Sequence, residues 1–223
     1  MPSTTLTTAP SPTEGAIRFH YVLRAPRARD TVDAERFERL AAWRRILRQL
    51  KLIGRDARRY DGFAYGNLSV RDRVDPVRFF VTASQTGGAP RLVRKHVVRI
   101  DAWDAGNFSV TATGAAPPSS ESITHGMVYA ADAHIDWIMH VHAPAIWRAA
   151  ARLELPATPH AIAYGSPAMA NAVGALTRDH AARPIVFATL GHEDGIFACG
   201  ESADDTGTTL IRALADAFAG STR

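Results

Sequence analysis

Cysteine and lysine are almost missing from this chain. Cys199 is the only cysteine in 223 residues, so no internal disulfide can form and the fold has to be held by its core. Of the 26 basic residues only Lys51 and Lys95 are lysines. Lys51 falls at the end of an amphipathic stretch and Lys95 inside the charged run RLVRKH, and neither is an apolar setting. Imine-forming enzymes need a lysine whose pKa is depressed by burial, so covalent Schiff-base catalysis is disfavoured. No apolar run approaches the roughly 18 residues of a membrane span. The opening MPSTTLTTAPSPTEG has neither the basic start nor the apolar stretch of a signal peptide. A reducing, cytoplasmic setting with no membrane contact is the expectation. The arginines that carry the net charge of +4 are scattered along the chain, which argues against a nucleic-acid stripe and for a solvated surface.

What is present describes an ordinary globular chain. A hydrophobic fraction of 46% with 22% charged residues excludes a disordered or collagen-like protein. Residues 1–14, rich in Ser, Thr and Pro, read as a disordered tail, and 15–223 as a single domain. Ile17, Phe19 and Tyr21 alternate with polar residues as in a short strand. From the cap Asp33, the residues Phe37, Leu40, Trp43, Leu47 and Leu50 recur at helical spacing until Gly54. Four strands follow at 64–71, 78–84, 96–102 and 107–113, mostly antiparallel because their connections are tight. A helix begins near Ser120, a strand ends at His142, and a third helix spans 143–153. Ser166-Pro167 opens a fourth helix, strands at 184–190 and 195–200 bracket the turn GHED, and Ser202 with Asp205 caps a C-terminal helix. The pattern is an α/β sheet with helices on both faces.

His140 and His142 stand two apart on a predicted strand, so both imidazoles project from one face. That suits metal chelation, but a catalytic site needs a third protein ligand and an open position. His192, in the turn between two strands and flanked by Gly191 and Gly195, is the candidate. Upstream, PPSSES puts Glu121 at a helix entry behind Ser119 and Ser120. Two readings stay open there. Ser120 and Glu121 can serve as a helix cap, or the helix N-terminus with its serines can hold a phosphate while the carboxylate moves a proton next to a carbonyl. Gly66-Asn67 and the loop from Thr82 to Gly88, which includes Ser84, are two further small polar turns that could supply uncharged donors to the same anion.

The ordered run GNLSVR, VTASQTG, PPSSES with His125 four residues past Glu121, HVH and a late histidine in a glycine-bounded turn resembles the class II aldolase/adducin family over roughly residues 35–220. The resemblance implies a three-layer α/β/α domain with a largely antiparallel central sheet, commonly a homotetramer with sites between subunits. It places His140, His142 and His192 as ligands of zinc, or of another divalent ion such as Mn2+, Fe2+ or Co2+. It makes Glu121 the catalytic acid/base, and Gly66, Asn67, Ser84, Ser119 and Ser120 the grip on a substrate phosphate. The implied reaction is cleavage of a small phosphorylated or acidic hydroxy-ketone through a metal-stabilised enediolate. Epimerisation, dehydration or decarboxylation on the same site is the alternative, and an adducin-like interaction domain without catalysis is the alternative of another class. Three departures stand out: SQT replaces a Ser-Gly pair in the phosphate loop, the segment ahead of YGSPAMA is short, leaving Tyr164 to stand in for a missing tyrosine, and Glu193-Asp194 follows the last histidine. These two carboxylates are read as turn formers ahead of an added acid/base pair.

Overall fold

The histidine pair sits on a strand near the middle of a nine-stranded sheet, and the rest of the architecture follows from how that sheet is covered. The computed structural model describes residues 15–27, 30–180 and 182–220; the tail expected at 1–14 lies outside them. In chain order the elements are β1 (His20–Arg24), α1 (Ala34–Gln49), β2 (Gly54–Arg55), β3 (Ala64–Tyr65), β4 (Asn67–Arg71), β5 (Phe79–Thr82), β6 (Val97–Asp104), β7 (Ser109–Thr113), α2 (Ser122–Ala131), β8 (Trp137–His142), α3 (Pro144–Ala149), β9 (Ala157–Thr158), α4 (Pro167–Asp179), β10 (Ile185–Thr189), β11 (Gly195–Gly200) and α5 (Ala203–Ala219).

The main sheet runs β1-β7-β6-β5-β4-β8-β11-β10-β9. Its interior pairings are antiparallel, but β1 runs parallel to β7 and β9 parallel to β10 at the two edges. The sheet is therefore mixed, which corrects the expectation of a largely antiparallel one. Tight turns in a sequence report only hairpins. The β9-α4-β10 segment is instead a crossover unit, in which a helix carries the chain back so that the strands run the same way.

Side chains alternate along the interior strands. Leu68, Val70, Met139 and Val141 enter one hydrophobic cluster with Leu40, Trp43 and Leu47 of α1, Ile146 of α3 and Leu210 of α5. Phe79, Val81, Ile138, Phe187 and Phe197 enter the other with Ile123 and Val128 of α2 and Met169 and Val173 of α4. The helices form where their caps permit. The side chains of Asp33, Ser166 and Ser202 accept hydrogen bonds from the backbone N–H of Arg36, Met169 and Asp205, satisfying donors that a helix start leaves over.

Two local expectations shift. The first strand begins only at His20, late in the predicted alternation; Phe19 packs into the core ahead of the ladder, and the strand itself is exposed. The predicted strand 64–71 is broken at Gly66, whose φ of 75° lies in the left-handed region. A Cβ there would sit 2.7 Å from Ile53 Cγ1 and 3.2 Å from the His140 carbonyl oxygen, so the close approach of this turn to β8 needs a glycine. Among the described residues no helix is long and apolar enough to cross a membrane.

Candidate metal centre

β8 lies between β4 and β11, and its period of two puts Ile138, His140 and His142 on one face. Ile138 belongs to the cluster under α2 and α4, and the imidazoles continue that face where the apolar packing ends. Phe197 is paired directly opposite His140, and the two rings stack with centroids 4.4 Å apart. His192 arrives from the β10-β11 turn. Its backbone N–H donates to Thr189 O and its carbonyl accepts from Gly195 N–H, while Gly195 is paired with His142. The turn is thereby folded over the end of β8. A Cβ on Gly195 would lie 2.4 Å from Thr189 Oγ1 and 3.0 Å from His192 Nδ1, so glycine is required for the histidine to reach this position.

The three rings form a nearly equilateral set, with centroids 5.2, 5.1 and 4.8 Å apart. All three residues are buried, and one ligand atom from each lies within 4.8 Å of the others. His140 Nδ1 is 3.2 Å from the Ile196 carbonyl oxygen. A carbonyl only accepts, so Nδ1 carries the proton and Nε2 keeps its lone pair for a ligand bond. An all-imidazole donor set of this kind fits zinc and the neighbouring divalent transition metals.

Two tyrosines wall the centre. The Tyr60 ring packs 4.5 Å from His142, and its hydroxyl donates to Asp194 Oδ2 at 2.6 Å. Burial first, then the bond to Asp194, raises the phenol pKa above its ordinary value, so Tyr60 remains an O–H donor. Asp194 also meets Arg59 at 3.3 Å and has a φ of 63°. It is thus a turn residue whose carboxylate is already engaged, whereas Glu193 is exposed. Tyr164 lies with its ring 4.2 Å from that of His192 and donates its hydroxyl to Ser120 Oγ at 2.9 Å.

Glu121 precedes α2 as its N-cap residue without making a side-chain cap bond. Its carboxylate is buried, with Oε1 3.8 Å from His192 Nδ1. The capping role open to Ser120 is not taken either, since its hydroxyl meets Tyr164; Ser119 Oγ accepts from Glu121 N–H and Ser119 O from Ser122 N–H. Gly66, Asn67, Ser84, Ser119 and Ser120 all line one small pocket together with Glu121 and His140. The β4-β8 register accounts for Asn67, which is paired directly with His140. The loop holding Ser84 is tied down by Arg44 of α1, whose Nη2 donates to the carbonyls of Thr86, Gly87 and Ala89. Burial, then the charge of Arg48, lowers the Arg44 pKa.

His125 stands apart from the triad. Its Nδ1 is 2.6 Å from Ser69 Oγ, which also meets the Tyr129 hydroxyl at 2.7 Å, and burial pushes its pKa down to about 3. It is a neutral core histidine. Arg44, Arg59, Tyr60 and the tie between Asp194 and Tyr60 were not legible in the sequence, because no spacing rule links an arginine on a helix or a tyrosine in an irregular turn to histidines far along the chain.

Residues 51–214 match the family model described as the class II aldolase and adducin N-terminal domain. Among solved structures, the L-fuculose-1-phosphate aldolase from Thermus thermophilus superposes with a TM-score of 0.60 at 19% identity, over 83% of this chain and 92% of that one. YgbL from Klebsiella pneumoniae, described as a candidate aldolase/epimerase/decarboxylase, gives 0.61 at 15% identity over 86% and 93%. A sugar-phosphate aldolase from Thermotoga maritima gives 0.59 at 14% over 82% and 94%. At these identities the likeness establishes the fold. No curated protein matches the chain. With a family model spanning most of its length, the chain belongs to the class II aldolase and adducin N-terminal domain family.

Proposed function

We propose that this protein is a metal-dependent lyase of the class II aldolase type, cleaving a carbon-carbon bond in a small phosphorylated or acidic hydroxy-ketone. The observation that carries the reading is the convergence of three buried imidazoles beside a buried carboxylate. His140, His142 and His192 would hold the ion, with zinc the best fit to the donor set and Mn2+, Fe2+ or Co2+ the alternatives. A dication held there would supply Lewis-acid stabilisation of negative charge developing on substrate oxygens.

The chain's own residues do the rest. Glu121 moves a proton at the carbon next to the carbonyl, held in place by its buried position against His192. The hydroxyls of Ser84, Ser119 and Ser120 and the amide of Asn67 receive the far end of the substrate beside His140. Tyr60 and Tyr164 pack against the ligand rings and limit water access. A single three-layer domain over 15–223 belongs to the same reading, supported by the two clusters on opposite faces of the sheet, and a homotetramer and a cytoplasmic location go with it. No role is assigned for nucleic acid or membrane.

Metal-loaded protein should release an aldehyde from at least one member of a panel of small hydroxy-ketones and their phosphates, and release should stop on chelation. Carbon dioxide or water released without an aldehyde would move the assignment to a decarboxylase or dehydratase, and conversion without fragments would move it to an epimerase. These alternatives use the same residues, and the fold likeness to YgbL keeps them in the panel. A metal-free protein indifferent to His142→Ala would leave an interaction domain.

A further inference from the structure

We infer that the pocket beside His140 seats an uncharged hydroxyl end of the substrate and refuses a phosphate, with Gln85 as the specificity-determining residue. This rests on the metal-dependent lyase reading and narrows its substrate to the unphosphorylated class.

Charge is the first argument. Among the described residues no arginine or lysine lines the pocket, and its one acidic wall is Glu121. A phosphate dianion taken from water into a partly enclosed space needs a counter-charge or a full set of donors. The nearby cation, Arg44, donates from Nη2 to three carbonyls of the loop.

Several backbone donors around the pocket are turned elsewhere. Anion nests are built from successive N–H groups aimed at the ligand. Here the N–H of Ser84 donates to Pro117 O, that of Thr86 to Ala83 O, and that of Ala64 to the Gln85 side chain. What the pocket offers instead includes an acceptor: Asn67 Oδ1 is buried and has no hydrogen-bond partner among the described residues. A hydroxyl both donates and accepts, so it can satisfy that oxygen and the serines together. A phosphate dianion has no proton to give.

Size points the same way. The cavity measures about 20 Å³, on the scale of one water molecule. Gln85 closes it. Its backbone φ of 61° is in the left-handed region where glycine is at home, and its amide spans from Ala64 N to Gly15 O, at 3.0 and 3.4 Å. A glycine at 85 would keep that backbone and remove the wall. Any carboxylate of an acidic substrate would then have the dication, and not this pocket, as its counter-charge.

The test is calorimetric titration of the metal-loaded protein with glycolohydroxamate and with its phosphate monoester, which share one chelating head. The unmodified protein should bind the free alcohol at least about tenfold more tightly than the ester, a gap of roughly 1.4 kcal/mol. In Gln85→Gly the ratio should shift at least about tenfold toward the ester, with metal content unchanged. Gln85→Asn, which tolerates the same φ and shortens the wall, should shift it in the same direction by less. An ester that binds the unmodified protein as well as the alcohol overturns this inference and leaves the lyase reading standing. If neither compound binds protein that holds its metal, the lyase reading is refuted and the inference goes with it.

Discussion

Glu121 and His192 meet at the buried floor of the site, with Oε1 3.8 Å from Nδ1. One comes from the start of a helix and the other from a strand turn. A carboxylate held against an imidazole proposed to hold a metal can serve the ring or the substrate, and Glu121→Gln separates the two. If Glu121 moves the proton, the variant keeps its metal, measured by elemental analysis, and loses roughly 10²–10⁴-fold in turnover. Loss of metal with little change in turnover per bound ion would make it a support for His192 only.

Removing the ion should be visible without any substrate. A ligand at about 1,000 times its dissociation constant stabilises by roughly 4 kcal/mol, which for a chain of this size is a melting shift of about 10 °C. Chelation of the unmodified protein should lower Tm by that order. His142→Ala should melt at the chelated value and show no response to added zinc.

Gly66→Ala tests the turn that brings Asn67 to His140. The new Cβ meets Ile53 and the His140 carbonyl at a left-handed φ, so we expect a loss of about 1–3 kcal/mol in urea unfolding. An unchanged midpoint would mean that the turn is not under this constraint.

Arg44→Met keeps the length and apolar stem of the side chain and removes the donor to three carbonyls. The expected cost is roughly 3 kcal/mol, and hydrogen exchange at the amides of 86–89 should quicken more than in the helices. Uniform acceleration along the chain would show a global effect instead.

Acid should destabilise the fold through His125. Its folded pKa of about 3 lies below the ordinary 6.5, so between these values the unfolded chain binds a proton that the folded chain does not. Stability therefore rises with pH through that window and is lost as pH falls from about 6.5 toward 3, at up to about 1.4 kcal/mol per unit. His125→Gln should flatten this slope in denaturation midpoints measured from about pH 7 to about pH 4.5; an identical slope would place the acid sensitivity elsewhere.

Much of this was readable in advance where the information is local. The Ser166-Pro167 and Ser202 helix starts, the two-residue spacing of His140 and His142, and the α/β order of elements all depend on a few neighbouring residues, and the structure has them in place. Ser120 shows the limit: a serine before a helix reads as a cap, yet its hydroxyl is engaged by Tyr164 from far along the chain. Gly66 shows another, since a period of two cannot register a single residue that turns the chain over.

By itself the sequence determined which side chains share a strand face or a helix stripe, because those follow from fixed backbone periods. It also carried enough ordered motifs to announce the family. Only the tertiary structure decided that β1 and β9 pair in parallel at the edges, that Tyr60 and Asp194 meet beside His142, and that Gln85 walls the pocket of Asn67 and the serines. Those contacts depend on how distant segments cross a common sheet, and no local period encodes a crossing.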